Sequence, residues 1–154
     1  MSDIPNLAAP DLTKRPPRSP HCRLGGYVIL ARLLDKGRAT LAGTNGEFTY
    51  DAPIDVHIKD FLGLDLAALK EQLAAGKGDG EILEWVNANA RHKRAAWEID
   101  AWSTYMARRG PSGDVETLQS FAEYVGNFAK DREDVKTWFE LVDLDDYVTF
   151  GGKP

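Results

Sequence analysis

The segment from Arg32 to Arg38 carries charged side chains at a spacing that could bind an anion. On a helix, Asp35 lies three residues from both Arg32 and Arg38, so its carboxylate can hold either guanidinium group. An arginine held in this way still has free N–H donors for a ligand carboxylate or phosphate. The alternative is a solvated set of surface ion pairs, each contributing about 0.5 kcal/mol or less. The spacing alone leaves both interpretations open.

Three other side chains have the chemistry of a general acid or base. Glu84 follows a second glutamate by three residues, so the two carboxylates share one helical face. Glu98 lies one turn before Trp102, whose apolar ring could raise the pKa of the carboxyl group. His57 is the third candidate. The alternative for Glu81 and Glu84 is a surface position near a helix N-terminus, where the helix dipole favours an acid.

Motifs for metal, nucleotide or nucleophilic chemistry do not occur in the sequence. Cys22 is the single cysteine, and neither Cys-x-x-Cys nor Glu-x-x-His is found. The glycine-rich segment 76–80 lacks the Walker spacing, and no Gly-x-Ser-x-Gly is present. Asp143, Asp145 and Asp146 are interpreted as a solvated acidic chain end, because the rest of a calcium loop is missing. We therefore predict no metal and no cofactor.

The composition predicts a soluble protein with a net charge of −5. Such a charge repels phosphate, which argues against general binding of nucleic acid or anionic membranes. The longest apolar run, Tyr27–Ala31, is far too short to cross a membrane. A single cysteine excludes an internal disulfide, and Asp3, Pro5 and Pro10 do not resemble a secretion signal. The expected location is the cytoplasm.

Helical periodicity dominates the chain from Gly26 onward and predicts an all-α domain of six or seven helices. A central helix runs from Gly26 to Ala42, with Tyr27, Leu30, Leu34 and Leu41 on one side. Phe48–Tyr50 resembles a strand but is too short to form a sheet. The other helices are expected after Pro53, after Asp65, after Asp79, over residues 95–109, after Asp114 and after Asp134. The four tryptophans, at positions 85, 97, 102 and 138, are expected in the core.

Residues 1–23 differ from the helical domain predicted over residues 24–150. Five of the eight prolines fall in this N-terminal segment, and proline blocks both helix propagation and strand pairing. Four basic residues lie between positions 14 and 23. We predict an extended arm laid across the folded body, with its arginines paired to surface acids. A second interpretation is an arm that binds anions.

Ordered motifs in the chain resemble a bacterial family known as domain of unknown function 5069. They begin with Gly25-Gly26, Arg32-x-Leu-Asp-Lys-x-Arg38, Ala42-Gly43 and Phe61-Leu-Gly-x-Asp65. They continue with Glu81-Ile-Leu-x-Trp85, Trp102-x-x-x-Met-x-x-Arg-Gly110 and Trp138-Phe-x-x-x-Asp143. The resemblance covers roughly residues 20–146. It implies no activity, cofactor or residue role, but it draws attention to the charged central helix.

Two functions are compatible with these features. In the first, Arg32 and Arg38 bind a small anionic molecule in a pocket beside the central helix, and Asp35 orients them. Candidate general acids or bases are Glu84, Glu98 and His57, with Trp85 and Trp102 as the apolar wall. In the second, the protein is a non-catalytic interaction module. Its basic arm and acidic C-terminus would then contact a protein partner or a second copy of the chain. Whether the protein is an enzyme stays open.

Overall fold

The computed structural model describes residues 9–154, which contain seven α-helices, one short 3-10 helix (Pro53–Asp55) and no β-strand. This confirms the predicted all-α class for the described part of the chain. None of the described helices combines the length and apolar character needed to cross a membrane. The helices are α1 (Leu30–Ala42), α2 (Val56–Leu62), α3 (Leu66–Ala74), α4 (Asp79–Asn89), α5 (Ala96–Arg108), α6 (Val115–Ala129) and α7 (Trp138–Thr149).

Helix α1 is the buried centre of the fold. It begins at Leu30 and not at Gly26 as predicted, because Gly25, Gly26 and Ile29 all have positive φ angles that a right-handed helix does not accept. Its end agrees with the prediction, since Gly43 adopts the left-handed conformation that terminates helices. Leu41 is 44% exposed and therefore does not share the buried side as expected.

The main hydrophobic core surrounds α1 with side chains from most of the other helices. The buried segment 27–30 and two leucines of α1 contact residues of α2, α3 and α4, with one residue each from α5 and α7. Gly37 allows α3 to pass close to α1, because a Cβ atom there would lie 2.5 Å from Leu73 Cδ1. The charged residues of α1 are consequently held inside the fold. Members of this core include Leu33, Leu34, Ile58, Leu69, Ile82, Val86, Met106 and Phe139.

A second, smaller core joins α6 to α7. Asp114 caps α6 as predicted, accepting a hydrogen bond from the Thr117 backbone N–H at 2.7 Å. The predicted apolar stripe of α6 supplies Phe121, Val125 and Ala129, which pack with residues of α7. These side chains remain 7–9% exposed, whereas many in the main core are fully buried.

Two predicted helix starts are wrong by a few residues. Gly78, not Asp79, is the N-cap of α4, and the Asp79 carboxylate binds arginines instead. Helix α7 begins at Trp138, because Thr137 and Glu140 cap each other's backbone N–H groups. Asp134 lies outside α7 and pairs with the nearby Arg132 at 2.7 Å.

Residues 9–29 contain turns but no helix or strand. Leu12 is 1% exposed, and its backbone N–H donates to the Thr44 carbonyl at 2.8 Å. Arg18 and Arg23 form ion pairs with acids of the helical body. The first part of the predicted arm, residues 1–8, lies outside the described residues, and the boundary at residue 23 stays a prediction.

Candidate functional site

Two charged residues of α1 form buried ion pairs with acids of distant segments. Arg32 donates two hydrogen bonds to Asp146 of α7, the shorter at 2.7 Å, and Lys36 lies 2.7 Å from Asp55. Burial raises the pKa of Asp146 despite the adjacent Arg32 guanidinium group. Burial also lowers the pKa of Lys36, against the attraction of Asp55. Asp146 is thus part of the core, which corrects the expectation of a solvated chain end.

The other two charged residues of α1 join a network with the N-terminal segment. Arg18 binds Asp35 through its backbone N–H at 2.9 Å and its guanidinium at 3.0 Å. Arg38 donates to Asp79 at 2.7 Å, and Arg18 reaches the same carboxylate at 2.8 Å. Burial would raise the pKa of Asp79, but the two guanidinium groups outweigh it and hold this pKa below its usual range.

The expected pairing within α1 is therefore wrong. Asp35 binds neither Arg32 nor Arg38, and all three residues are buried, so they are not a solvated surface set either. Each of these charges is neutralised by another part of the protein. The charged motif of α1 holds the N-terminal segment, the 3-10 helix, α4 and α7 around the central helix.

The other predicted site residues do not meet at α1. Glu84 is exposed on α4, and Glu98 accepts a hydrogen bond from the Ala95 backbone N–H, which caps α5. Trp85 and Trp102 pack against the main core, where Trp102 stacks on Phe61 at 4.5 Å. The structure therefore does not bring the predicted acid–base and apolar residues together with the arginines of α1.

His57, the remaining candidate, lines a cleft between α2 and α7. The cleft has a volume of about 220 Å³, and most of its wall is apolar. The one cationic side chain among its lining residues is Arg109, which directly follows α5. The apolar walls come from Pro53, Ile54, Trp138, Phe139, Leu141 and Val142.

Within residues 9–154, the Arg109 side chain is held beside the cleft without a hydrogen-bond or ion-pair partner. Its Nε atom is buried and has no hydrogen-bond partner among residues 9–154, and no ion pair to its guanidinium group is found there. The Arg109 carbonyl accepts a hydrogen bond from the Trp138 backbone N–H at 3.0 Å. Gly110 permits this approach, because a Cβ atom there would lie 2.5 Å from the Lys136 carbonyl oxygen. The backbone thus fixes Arg109 against the start of α7.

The electrostatics of the cleft favour a neutral His57. Burial lowers the pKa of the imidazole below its usual 6.5, and the positive charge of Arg109 lowers it further. Asp60 acts in the opposite direction but does not reverse the shift. At neutral pH the cleft therefore holds one guanidinium charge and one imidazole that can donate or accept a hydrogen bond.

A second cavity, of about 430 Å³, borders this cleft and reaches α1. The two cavities share Pro53, Ile54 and Val142 in their walls. Arg32 and Lys36 line the second cavity, but their charges are already paired, and four acidic residues also line it: Glu47, Asp51, Asp145 and Asp146. This cavity is net negative and therefore does not suit an anion.

A third cavity, of about 420 Å³, lies on the outer side of α7. The charged groups there are largely engaged, since Arg132 pairs with Asp134 and Glu140 caps α7. Within residues 9–154, no group of three or more histidine, cysteine, aspartate or glutamate side chains is placed to hold a metal ion. In the cleft, the charge of Arg109 has no acidic partner among residues 9–154.

Sequence reasoning missed Arg109 and Trp138 as site residues, although both occur in the motifs quoted for the family resemblance. A signal was present in Gly110, since glycine is the residue that permits a close approach of the backbone. What the sequence could not show is that Arg109 would lack an acidic partner, because its neighbours in space come from α2 and α7.

Comparison with known proteins agrees with the motif resemblance. A search of curated proteins found no match. The family model described as Domain of unknown function (DUF5069) matches residues 14–148, well over half of the chain. This range includes every helix except the last residue of α7. The chain therefore belongs to the DUF5069 family.

Proposed function

We propose that this protein binds a small anionic molecule with an apolar body in the cleft between α2 and α7. The observation that supports this proposal most directly is the Arg109 side chain, whose buried Nε has no hydrogen-bond partner among the described residues. Leaving a buried donor unsatisfied costs about 1–3 kcal/mol, and more for a charged group. A ligand carboxylate or phosphate beside Arg109 would remove that cost.

The walls of the cleft define the rest of the ligand. Trp138 and Phe139 contribute aromatic surface, and Ile54 and Val142 contribute aliphatic surface. A buried apolar cavity of about 150 Å³ accommodates a benzene ring, so the 220 Å³ cleft has room for one ring or a short aliphatic chain. The favoured ligand is therefore a monocarboxylate of that size, with its charged group at Arg109.

His57 is the one titratable partner of Arg109 among the residues that line the cleft. Its lowered pKa leaves the imidazole neutral at pH 7, so it can hydrogen-bond to the ligand or accept a proton from it. Any acid–base chemistry in this cleft would use His57. The proposal itself is for binding, in the cytoplasm as the single cysteine suggests.

The alternative function, an interaction module that uses the basic arm and acidic C-terminus, receives less support. Arg18 and Arg23 of the N-terminal segment already pair with acids of the helical body. Asp143 and Asp146 near the C-terminus pair with His21 and Arg32. These charges are therefore engaged within the chain.

The experiment compares benzoate with its neutral isostere benzamide by calorimetry and thermal unfolding. We expect benzoate to bind and to raise the melting temperature in proportion to the logarithm of its concentration, whereas benzamide binds much more weakly. Arg109→Met keeps much of the side-chain length but removes the charge. It should weaken benzoate binding by about tenfold or more, the effect of one charge-assisted hydrogen bond of about 1.5–3 kcal/mol.

The matched control is Arg108→Met, which removes the same charge from the adjacent, exposed position at the end of α5. Equal losses in Arg108→Met and Arg109→Met would mean that benzoate responds only to net charge, and the proposal would fail. It would also fail if benzoate and benzamide bound equally well, because the guanidinium group would then contribute nothing.

A further inference from the structure

The loop between α4 and α5 concentrates positive charge on an otherwise acidic protein. It contains four basic side chains in succession, Arg91, His92, Lys93 and Arg94, which we call the basic loop. Arg91, His92 and Lys93 are exposed, and Arg94 is half-buried. The basic loop lies apart from the cleft of the proposed function, with which it shares no lining residue.

The backbone of the basic loop is fixed by contacts with the end of α2. The His92 N–H donates to the Leu62 carbonyl at 3.0 Å, and the Arg94 guanidinium donates twice to the Phe61 carbonyl. Arg94 also covers the Phe61 ring at 4.5 Å. Gly63 makes this packing possible, because a Cβ atom there would lie 2.8 Å from the Arg91 Cβ. The loop therefore presents its charges in a preorganised arrangement.

Few of these charges are neutralised within the described chain. Glu98 lies 3.7 Å from Arg94, a long ion pair at the start of α5. No ion pair is found to Arg91 or His92 among residues 9–154. Lys93 donates to the Asn87 and Ala88 carbonyls at the end of α4, and its ammonium group has no acidic partner in the part of the chain that the structure describes. The basic loop thus retains positive charge that a ligand can use.

A concave surface of about 300 Å³ lies beside these charges. His92, Lys93 and Arg94 line it, together with Tyr27 and Asn87, whose hydroxyl and amide groups hydrogen-bond to each other at 3.0 Å. This volume is at the lower end of the range for small-molecule sites, which begins at about 300 Å³. Cations beside neutral polar groups are the lining expected for a phosphate ester.

An exposed tryptophan follows a lining residue of this surface in the sequence. Trp97 is 72% exposed, contrary to its expected place in the core, and directly follows Ala96, which lines the concave surface. An exposed indole ring presents a flat aromatic face on which a ligand can stack. The flat faces of nucleobases stack on such rings, contributing about 1–3 kcal/mol per base.

We propose that the basic loop and Trp97 bind a nucleotide, with its phosphate at His92, Lys93 and Arg94, which line the concave surface, and its base stacked on Trp97. The proposal is independent of the anion cleft at Arg109. A net charge of −5 disfavours binding along the whole protein surface, but it does not exclude a local basic site. The bound nucleotide could belong to a free mononucleotide or to a single-stranded RNA, and the experiment distinguishes these two ligands.

The experiment follows the tryptophan indole N–H signals of the full chain by NMR, with calorimetry for affinities. The probes are AMP, adenosine without the phosphate, ribose 5-phosphate without the base, and a single-stranded RNA oligonucleotide. We expect AMP or the RNA to bind and to shift the Trp97 signal, and each truncated probe to bind at least about tenfold more weakly. Binding of the RNA alone would identify a strand as the source.

Matched variants test the two parts of the site separately. Trp97→Ala should weaken binding about tenfold, whereas Tyr105→Ala, which removes another exposed aromatic ring from α5, should not. Lys93→Gln should weaken binding, whereas Lys130→Gln at an exposed site elsewhere should not.

Three results would overturn the proposal. The first is the absence of binding by both AMP and the RNA. The second is equal binding of adenosine and AMP, which would remove any role for the phosphate. The third is binding that Trp97→Ala and Lys93→Gln leave unchanged. Because the indole signals are measured on the unmodified protein, a variant that fails to fold does not prevent a decision.

Discussion

The Lys36–Asp55 pair shows how a single residue can be essential to the fold without being a ligand site. The Asp55 side chain is completely buried, and its Oδ2 atom accepts hydrogen bonds from Lys36 and from the Ala52 backbone N–H. Its other oxygen, Oδ1, has no partner within the described residues. A buried ion pair of this kind contributes little over an apolar pair, but the loss of one partner leaves an uncompensated charge.

Asp55→Asn should therefore destabilise the protein strongly, by about 3–5 kcal/mol. Urea unfolding measures the change directly. The matched control is Asp51→Asn, because Asp51 faces Lys59 at 3.9 Å across a solvent-exposed gap. That substitution should cost less than about 1 kcal/mol. If both substitutions lowered the free energy of unfolding equally, the Lys36–Asp55 pair would not have the structural role assigned here.

The lowered pKa of His57 gives the anion cleft a defined pH dependence. As the pH falls through this pKa, His57 becomes protonated. The cleft then holds two positive charges, one on His57 and one on Arg109, so benzoate should bind more tightly. The folding stability of the unliganded protein should instead decrease as the pH falls. In the unfolded chain His57 has its usual pKa of 6.5, which is higher than its pKa in the folded protein. As the pH falls below 6.5, the unfolded chain therefore binds more protons than the folded protein, and folding stability is lost.

Calorimetry with benzoate from about pH 8 to about pH 5 tests the binding half of this prediction. His57→Gln keeps a polar side chain but cannot titrate, so it should flatten the pH dependence while preserving binding at pH 8. A pH profile that is the same in the variant and the original protein would show that His57 does not face the bound anion.

At the scale of elements, the cleft depends on how closely the end of α5 approaches the start of α7. Gly110 lies at this junction, where no other residue fits, because a Cβ atom would lie 2.5 Å from the Lys136 carbonyl oxygen. The hydrogen bond from the Trp138 N–H to the Arg109 carbonyl depends on the same approach. The position of Arg109 is thus set by backbone contacts between two elements.

Gly110→Ala should both destabilise the protein and weaken benzoate binding, since α5 and α7 must separate to accept the methyl group. Thermal unfolding and calorimetry on the same sample measure the two effects. Gly126→Ala provides the control, because its Cβ would meet nothing within 4 Å in the last turn of α6. That change should stabilise the protein by about 1 kcal/mol through helix propensity and leave binding intact. Unchanged benzoate binding in Gly110→Ala would show that the cleft does not depend on this junction.

Many features set by neighbours in sequence could be predicted, although the capping box of α7 at Thr137 and Glu140 was missed, and features set by distant contacts could not. The stop at Gly63 and the caps at Asp65 and Asp114 depend on residues within one turn, and the structure confirms them. The start of α1 could not be predicted, because the positive φ angle of Ile29 occurs where its N–H donates to the Pro20 carbonyl, nine residues earlier. The partner of Arg32 lies 114 residues away.

At the scale of the whole molecule, the protein consists of two hydrophobic cores that meet at α7. The main core surrounds α1, and α6 packs on α7 through the smaller core. The cleft lies beside α7, since Trp138, Phe139 and Leu141 line it. Of these, Phe139 belongs to the main core and Leu141 to the smaller one. A ligand in the cleft would therefore contact residues of both cores.

This arrangement predicts that α6 opens before the rest of the fold. Its core residues are fewer and partly exposed, so its amides should exchange with solvent at a lower free energy than those of α1, whose exchange should require global unfolding. Hydrogen exchange followed by mass spectrometry resolves the two helices. Saturating benzoate should slow exchange in α7 and, through Leu141, in α6. Arg109→Met should abolish this protection, whereas Arg108→Met should retain it. Equal protection of α1 and α6 would show instead that the two cores unfold as one unit.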